Sequence, residues 1–365
     1  MTFKTDRLEE VRNAVNVCTM CGFCKSVCPS FKAIGWDSAL SRGRIVLTYG
    51  LLVGDIPADD SVIENMYTCT TCADCVRRCP SKVKIVDIIE LCRADLVKNG
   101  HMLPKHKAMC DNIIKFNNPY GEEKSVVETL GKQPKKAEVG YFAGCTATYR
   151  SKKTSQASMS ILDKLKVDYT TIDEVCCGSV MQRVGWDIED VKKYMKRNVD
   201  AIVSLGVKTL VLSCAGCYRM FKEEYPKYVD VPFKVQHMTE FLAEQDLKLK
   251  PMKGVVTYHD PCHLGRHAGI YDAPRKVISM IPDVEFKEME FNKSTSHCCG
   301  GGGGVRSAYP EESKRIASTR IDEALAIGAK TIITACPFCV SNLIFGSEGK
   351  DVKVVDLMET IDGLL

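Results

Sequence analysis

The sequence predicts a mixed fold of the α+β and α/β classes, in which a helical domain at residues 1–130 precedes two tandem α/β repeats at 138–250 and 251–365. Three observations predict it. Two short cysteine motifs lie in a helical background near the N-terminus, the rest of the chain is an internal duplication, and each copy alternates strand-type with helix-type segments. A polar stretch from Gly131 to Ala137 is predicted to link the two parts.

The composition is ordinary except for its cysteine content. The 365 residues carry 50 basic and 46 acidic side chains, a net charge of +4, without a long Lys/Arg run, so nucleic-acid binding is not expected. No stretch approaches the roughly 20 apolar residues of a membrane span, and the N-terminus lacks the apolar core of a signal peptide. We therefore expect a cytoplasmic chain, attached to a membrane only through a partner. In that setting its 20 cysteines indicate metal rather than disulfides.

The helical domain contains the motif Cys-x-x-Cys-x-x-Cys-x-x-x-Cys-Pro twice. This spacing is typical of two-cluster ferredoxins, in which three close thiolates hold one [4Fe–4S] cubane and the fourth, before proline, reaches the other cubane. The predicted ligand sets are Cys18, Cys21, Cys24 and Cys79 for the first cubane, and Cys69, Cys72, Cys75 and Cys28 for the second. The alternative, a pair of structural zinc sites, leaves the third cysteine of each motif without a use. About forty residues of predicted helix separate the motifs, more than in a compact ferredoxin.

The duplication is clearest where residues 204–217 match residues 326–339. Each copy alternates strand-type and helical segments, which predicts α/β units with a mostly parallel sheet. The predicted strands are Val139–Ala143, Thr209–Ser213, Val255–His259 and Thr331–Thr334, and the predicted helices are Ile188–Ser204 and Glu311–Ile327. Every cysteine motif in these copies, except the adjacent Cys-Cys pairs, follows a predicted strand. The carboxyl ends of parallel strands are where such sheets build sites.

Each copy contains five cysteines in the same order. The first has Cys145, Cys176, Cys177, Cys214 and Cys217, and the second has Cys262, Cys298, Cys299, Cys336 and Cys339. Five thiols are one more than a cubane or a zinc ion uses, and adjacent cysteines are awkward ligands for one cubane. The count therefore indicates a cluster of another shape, or a fifth thiol kept for chemistry.

This pattern resembles the CCG-domain family, whose type member is the catalytic subunit of archaeal heterodisulfide reductase. Residues 258–266 and 297–306 are similar to that family, and two ferredoxin motifs joined to two CCG repeats cover nearly the whole chain. The resemblance implies two non-cubane [4Fe–4S] clusters, each bound by all five cysteines, in addition to the two cubanes. It also implies a disulfide substrate, CoM-S-S-CoB, held between the two non-cubane clusters. Both motifs are complete here, which favours disulfide chemistry.

Two functions remain open on the sequence. The leading hypothesis is reduction of CoM-S-S-CoB, with electrons passed through the cubanes from a partner subunit: a membrane cytochrome b, a flavoprotein, or a hydrogenase or formate dehydrogenase module. Two clusters that each hold one product thiolate on iron would divide the two-electron cleavage into single-electron steps. The alternative is a non-catalytic electron-transfer subunit of a flavin-dependent lactate, glycolate or glycerol-3-phosphate dehydrogenase. No flavin or haem motif is present, so either function needs a partner.

Several other residues are candidates for the site. His259, His263 and His267 flank Cys262, and His297 precedes Cys298; His263 and His297 are the first choices as proton donors to the product thiolates, against a structural role. Arginines near the motifs are candidate anchors for the anionic ends of a substrate, although each could be an ordinary surface residue: Arg150, Arg183, Arg219, Arg266 and Arg306.

Three features fall outside these motifs. The glycines at 300–304 lack the lysine and serine of a phosphate loop, and close backbone approach to a cluster explains them better. Cys92 and Cys110 fit no motif and are predicted to be small buried hydrophobic side chains.

Overall fold

The computed structural model describes residues 3–365 and begins with a helical region. Helix ends follow local signals: Ser125 and Glu128 form a capping box at the start of the last helix of this region, and Gly131 ends that helix with φ of 69°. The helices are α1 (Arg12–Asn16), α2 (Pro29–Ile34), α3 (Ser41–Val53), α4 (Asp60–Tyr67), α5 (Asp74–Arg78), α6 (Ile85–Lys98), α7 (Pro104–Phe116) and α8 (Val126–Leu130).

The first repeat contains a four-stranded parallel sheet. Its strand order is β2-β1-β3-β4, and β1 pairs in register with β3 from Val139 opposite Thr209 to Phe142 opposite Leu212. The elements are β1 (Val139–Phe142), α9 (Cys145–Tyr149), α10 (Lys152–Lys164), β2 (Tyr169–Thr171), α11 (Ser179–Val184), α12 (Ile188–Ser204), β3 (Thr209–Leu212), α13 (Ala215–Arg219), β4 (Lys234–His237) and α14 (Met238–Ala243).

The second repeat has the same topology, with the strand order β6-β5-β7-β8 and parallel pairing throughout. The elements are β5 (Val255–His259), α15 (Asp272–Ser279), β6 (Glu285–Phe286), α16 (Val305–Ala308), α17 (Pro310–Ala326), β7 (Thr331–Thr334), α18 (Pro337–Gly346), β8 (Lys353–Asp356) and α19 (Leu357–Leu364). The predicted mixed fold, helical first and then two parallel α/β repeats, is confirmed. The four predicted strands and two predicted helices are present within one residue of their expected bounds.

Two hydrophobic cores support this arrangement. One contains residues from Leu8 to Leu96 and surrounds the ferredoxin motifs. The other runs through both sheets as a single core, and it also includes Cys110 and Ile113 of α7. Helix α7 therefore packs on the α/β part, although it precedes the predicted boundary at residue 130; the three-domain division stays a prediction. None of the described helices is long and apolar enough to cross a membrane.

Candidate metal centres and the cavity between them

The structure brings together the four thiols predicted for the first cubane. Cys18, Cys21, Cys24 and Cys79 line one small cavity of about 20 Å³. The Cys21 side chain is exposed, so this group lies near the surface. Four thiols that converge on a small cavity, with no carboxylate or imidazole in its lining, suit iron of an iron–sulfur cluster.

The loops that carry the three close cysteines have the same backbone conformation in both motifs. In the first, Met20 and Gly22 have φ of 57° and 80°; in the second, the equivalent Thr71 and Ala73 have φ of 54° and 62°. A left-handed conformation is uncommon for residues other than glycine. The two residues with positive φ in each loop turn the chain so that successive cysteines face the same point.

The four thiols predicted for the second cubane also lie together. Burial raises the pKa of the Cys28 thiol, and the neighbouring Cys69 and Cys72 thiols raise it further. Burial likewise raises the pKa of Cys75, with contributions from the other three thiols. A group of buried thiols is difficult to ionise unless a metal takes the thiolates, so this donor set fits a thiolate-bound cluster.

Each five-cysteine motif forms one group of contacting thiols. In the first repeat, hydrogen bonds from Cys176 and Cys217 hold the pKa of the Cys177 thiol well below its usual range. The second repeat has the same pattern. Hydrogen bonds from Cys298 and Cys339 hold the pKa of Cys299 well below its usual range. The outer cysteines complete each group, since Cys145 contacts Cys176 and Cys262 contacts Cys298.

Strand ends position these thiols. Cys214 and Cys336 directly precede α13 and α18, two residues beyond the ends of β3 and β7. Gly144, just before α9, has φ of 78°, and a Cβ there would lie 2.9 Å from the Sγ of Cys217. Its N–H donates to Glu174 at 2.6 Å, and burial raises the pKa of that carboxyl well above its usual range. Only glycine fits at this position so close to the thiols.

A cavity of about 250 Å³ lies between the two five-cysteine groups. All five cysteines of the first group line it, and so do Cys262, Cys299, Cys336 and Cys339 of the second. The thiols of Cys214 and Cys336 contact each other across the boundary between the repeats. The duplication therefore produces two thiol groups that face a shared space, which also has Tyr120 and Phe338 in its wall.

The fifth cysteine of the second group faces another direction. The thiol of Cys298 contacts that of Cys72 in the second ferredoxin group. Arg266 strengthens this junction, because its Nε donates to the Cys72 carbonyl at 2.7 Å and its guanidinium also donates to the Ser296 carbonyl. The cysteine groups are thus arranged in a series from the exposed first ferredoxin group to the shared cavity.

The two histidines predicted as proton donors lie in different surroundings. His263 lines the shared cavity, and its Nε2 lies 3.5 Å from Nη1 of Arg219. Burial and the Arg219 charge hold the pKa of His263 well below its usual range. His297 is not part of that cavity lining; its ring bonds to Glu323 and lies 3.2 Å from the Nζ of Lys32. The geometry therefore favours His263, and both assignments stay predictions.

Two of the five predicted anchor arginines are buried in ion pairs. Arg183 donates to Glu90 at 2.5 Å and to Glu224 at 3.4 Å. Arg219 donates to the same Glu224 at 3.2 Å. Carboxylates neutralise these two guanidinium groups, although Arg183 also lines the shared cavity, and Arg266 donates to the carbonyls described above. These three arginines therefore make structural contacts within the protein.

The other two arginines lie closer to solvent. Arg150 pairs with Glu122 at 2.6 Å and lies over the ring of Tyr120. Arg306 lines the shared cavity, 3.5 Å from the ring centre of Phe345, and its buried Nη1 has no hydrogen-bond partner among the described residues. Because Arg306, unlike Arg183, lines the cavity without a carboxylate partner among the described residues, it is the best placed of the five for an anionic ligand, although its role stays a prediction.

The glycine run packs closely against the helical region and also lines the shared cavity. A Cβ on Gly302 would lie 2.6 Å from the Thr70 carbonyl, and one on Gly304 would lie 2.5 Å from the His106 ring. Gly301 to Gly304 also line the shared cavity. The close approach found is to the second ferredoxin motif and α7, and the predicted approach to a cluster stays a prediction.

Sequence reasoning missed Arg93. It is fully buried in α6, and its guanidinium donates to the carbonyls of Met66 and Cys69 in the helical region, of Arg183 in the first repeat and of Gly303 in the second. An arginine on the apolar face of an amphipathic helix, four residues after Ile89, was the signal available.

Cys92 and Cys110 are fully buried, and burial raises the pKa of each to about 12.

Family models match most of this architecture. A cysteine-rich domain, CCG, matches residues 139–222 and 256–344, and a 4Fe-4S dicluster domain matches residues 14–83. A subunit of dihydromethanophenazine:CoB–CoM heterodisulfide reductase from Methanosarcina mazei is 37% identical, over 94% of this chain and 92% of that protein. A subunit of fumarate reductase (CoM/CoB) from Methanothermobacter marburgensis is 33% identical, over 94% of this chain and 71% of that protein.

A solved structure shows the same fold at low sequence identity. The crystal structure of a hypothetical protein from Helicobacter pylori covers 98% of this chain, and this chain covers 71% of it, with a TM-score of 0.61 and 11% identity.

Proposed function

Because the chain belongs to the family of CCG-domain iron–sulfur oxidoreductases that includes a subunit of CoB–CoM heterodisulfide reductase, we propose that it reduces CoM-S-S-CoB in the cavity between its five-cysteine groups. The observation that carries this proposal is the shared cavity itself. An electron relay needs cluster sites spaced along a path, whereas here two thiol groups with nine cysteines between them line one space.

We propose four clusters in the chain, two cubanes in the ferredoxin motifs and two non-cubane clusters in the five-cysteine groups. When bound, they supply one at a time the two electrons that cleavage of a disulfide requires. The exposed Cys21 supports entry of electrons at the first ferredoxin group, and the contact between Cys72 and Cys298 supports the second group as the neighbour of the site. The donor would be a separate subunit: a membrane cytochrome b, a flavoprotein, or a hydrogenase or formate dehydrogenase module.

The chain's own residues bind the substrate and stabilise the product sulfurs. Cleavage of RS–SR′ consumes two electrons and two protons and gives two thiols. A guanidinium only donates, so the contact from Arg219 leaves the lone pair of His263 on Nε2 and its hydrogen on Nδ1. A Cβ built on Gly216, in the cavity wall, would lie 3.8 Å from that Nδ1. We propose that His263 donates a hydrogen bond from Nδ1 to a product sulfur, that the two protons come from solvent, and that Arg306 binds an anionic end of the substrate.

The test is dye-linked reduction by the whole chain, purified and reconstituted without oxygen. Reduced viologen should be oxidised when CoM-S-S-CoB is added, and iron and sulfide should each be about sixteen per chain. The variant Cys299→Ala should lose disulfide reduction while the two cubane signals remain. Cys110→Ala is the matched control, because Cys110 is a buried cysteine outside every motif, and it should retain activity.

Three results would contradict the proposal. A fully loaded chain that fails to oxidise the dye with CoM-S-S-CoB present would favour the electron-transfer subunit of a flavin-dependent dehydrogenase. Equal loss of the cubane signals in Cys299→Ala would show that the four sites do not load independently, and stoichiometric zinc would exclude the cluster assignment.

A further inference from the structure

The two five-cysteine groups differ at the end of the strand that precedes each. Phe142 ends β1, three residues before Cys145, and His259 ends β5, three residues before Cys262. Both side chains are fully buried. The duplication therefore places an imidazole beside the second group at the position where the first group has a phenyl ring.

The hydrogen of the His259 ring can be assigned from its neighbour. The Nε of Arg320 donates to Nδ1 of His259 at 3.3 Å. Because a guanidinium has donors only, Nδ1 of His259 must carry the lone pair, and the ring hydrogen lies on Nε2.

The remaining nitrogen of His259 is next to thiols. A ring nitrogen of His259 and the Sγ atoms of Cys299 and Cys339 lie within 4.8 Å of one another. Nδ1 is taken by Arg320, and the buried Nε2 has no hydrogen-bond partner among the described residues. A buried N–H without an acceptor costs free energy. A sulfur atom that accepts from Nε2–H of His259 would remove this cost.

The same contact excludes His259 as a metal ligand. A histidine that binds metal through one nitrogen normally donates the hydrogen on its other nitrogen to a carboxylate, carbonyl or water. Here the other nitrogen, Nδ1, faces the N–H of Arg320 and can only accept. Ligation through Nε2 would therefore require a doubly deprotonated ring.

Arg320 is held in place by contacts that the first repeat does not contain. It is fully buried, and it donates to the Phe291 carbonyl at 2.8 Å and to Oγ of Ser296 at 3.1 Å, besides its ion pair with Glu323. At the position equivalent to Arg320 the first repeat has Asn198, whose amide donates to the Val175 carbonyl at 3.2 Å. The cation and the imidazole are thus present together in one repeat and absent together in the other.

We propose that His259 donates its Nε2–H to the sulfur ligands provided by Cys299 and Cys339, and that this makes the second five-cysteine cluster easier to reduce than the first. A hydrogen bond to a ligand sulfur stabilises the reduced, more negative form and so raises the reduction potential. The second group is also the one whose Cys298 contacts Cys72 of the ferredoxin motifs. Electrons that arrive from the ferredoxin side would thus collect at this group. The inference rests on cluster binding and not on the identity of the disulfide.

The test is an anaerobic redox titration of the reconstituted chain, followed by electron paramagnetic resonance, without any disulfide. In His259→Leu, the potential of one five-cysteine cluster should shift to more negative values, and the other three clusters should titrate as in the wild type. His259→Gln retains an N–H donor near the position of Nε2 and should recover most of the shift. Phe142→Leu is the matched control in the first repeat, and it should leave the second cluster unchanged.

A second measurement uses the wild-type protein labelled with ¹⁵N-histidine. Pulsed electron paramagnetic resonance of the reduced protein should show a weak nitrogen coupling to the second cluster that disappears in His259→Gln. A strong coupling, typical of direct ligation, would overturn the inference. So would wild-type potentials in fully loaded His259→Leu, or equal shifts in His259→Leu and His259→Gln. If His259→Leu does not load iron, His259→Gln and the labelled protein decide the question. Because no substrate is present, these outcomes are independent of whether CoM-S-S-CoB is reduced.

Discussion

Arg306 differs from Arg183, the other candidate arginine in the cavity wall, because Arg183 is paired with two carboxylates, whereas Arg306 has no ion pair among the described residues and its buried Nη1 is unpaired. Its guanidinium lies over Phe345 at the wall of the shared cavity, so the aromatic ring orients the group without using its hydrogen-bond donors. A fork of free donors at a cavity wall is suited to a sulfonate, carboxylate or phosphate.

We predict that Arg306→Ala weakens binding of an anionic disulfide. A hydrogen bond to a charged group contributes about 1.5–3 kcal/mol, so KM should rise roughly 10- to 100-fold with little change in kcat. The measurement is dye-linked disulfide reduction over a range of CoM-S-S-CoB concentrations.

Lys314 provides the matched control for this prediction. Its ammonium lies 5.2 Å from the same Phe345 ring, but it pairs with Glu348 and is absent from the cavity lining. Lys314→Ala should therefore leave KM unchanged. Equal KM values for Arg306→Ala and the wild type would remove Arg306 from the binding site.

The sequence predicted single residues well where chemistry fixes their spacing. The ferredoxin cysteines could be grouped because they follow a fixed motif, and the other ten because the same order of five cysteines occurs in both repeats. The arginines could not be sorted in this way. Arg183 and Arg306 have similar positions relative to their motifs, but Arg183 finds Glu90 from a distant helix and Arg306 finds only an aromatic ring.

At the scale of elements, the central strands were predictable and the edge strands were not. β1, β3, β5 and β7 are rich in apolar and β-branched residues, as strands buried in a parallel sheet usually are. β4 reads Lys-Val-Gln-His, and β6 has only two residues. Such short, mixed segments become strands because a neighbouring strand supplies hydrogen-bond partners, and that information is not local.

The helix that follows Cys-x-x-Cys also differs between the repeats in a way the sequence did not show. After Cys336, α18 is a regular helix to Gly346. After Cys214, α13 ends at Arg219 and continues as a π-helical turn over Met220–Glu224. Turns of this kind often occur at functional sites. Here the π-helical turn ends at the buried Glu224, which pairs with Arg183 and Arg219.

We predict that the left-handed turn before α5 is needed for the second ferredoxin group. Ala73 has φ of 62° at the start of that helix, and a β-branched side chain is strongly disfavoured there. Ala73→Val should therefore remove the second cubane, with a loss of about four irons from a total of about sixteen per chain. Iron content and cubane spectra measure this.

Ala73→Gly tests whether the backbone conformation is the cause. Glycine adopts positive φ without strain, so this variant should retain all the iron. Full iron content in Ala73→Val would show that the loop tolerates another conformation and would contradict the prediction.

At the scale of the whole molecule, the order of the parts was predictable, but the contacts that join them were not. The single side chain of Arg93 donates to carbonyls from the helical region and from both repeats. The glycines at 302–304 allow the second repeat to approach this residue and the second ferredoxin motif. Contacts of this kind form only when three distant segments meet, so no periodicity or spacing in the sequence identifies them.

His106 lies at the same junction, and it makes the stability of the folded protein depend on pH. It is fully buried on α7; its Nε2 bonds to the Gly304 carbonyl at 3.0 Å, and its ring lies 5.0 Å from that of Tyr67. Burial, with a further effect of the Arg93 charge, lowers the pKa of His106 to about 4. In the unfolded chain the pKa of histidine is about 6.5. Between these values the unfolded state binds the proton and the folded state does not, so stability must fall as the pH drops from about 6.5 to about 4.

We predict that His106→Gln reduces this pH dependence. The wild type should lose up to about 1.4 kcal/mol of stability per pH unit through this one group in that window. Glutamine has an N–H that can donate to the Gly304 carbonyl but does not titrate, so the variant should lose less as the pH falls. Thermal unfolding of both proteins without oxygen, from about pH 7 to about pH 4.5, measures the difference. His237 is also buried with a lowered pKa, but it is common to both proteins and cancels in the comparison. Parallel curves for the two proteins would show that the junction around His106 opens before the folded state is lost, and would contradict the prediction.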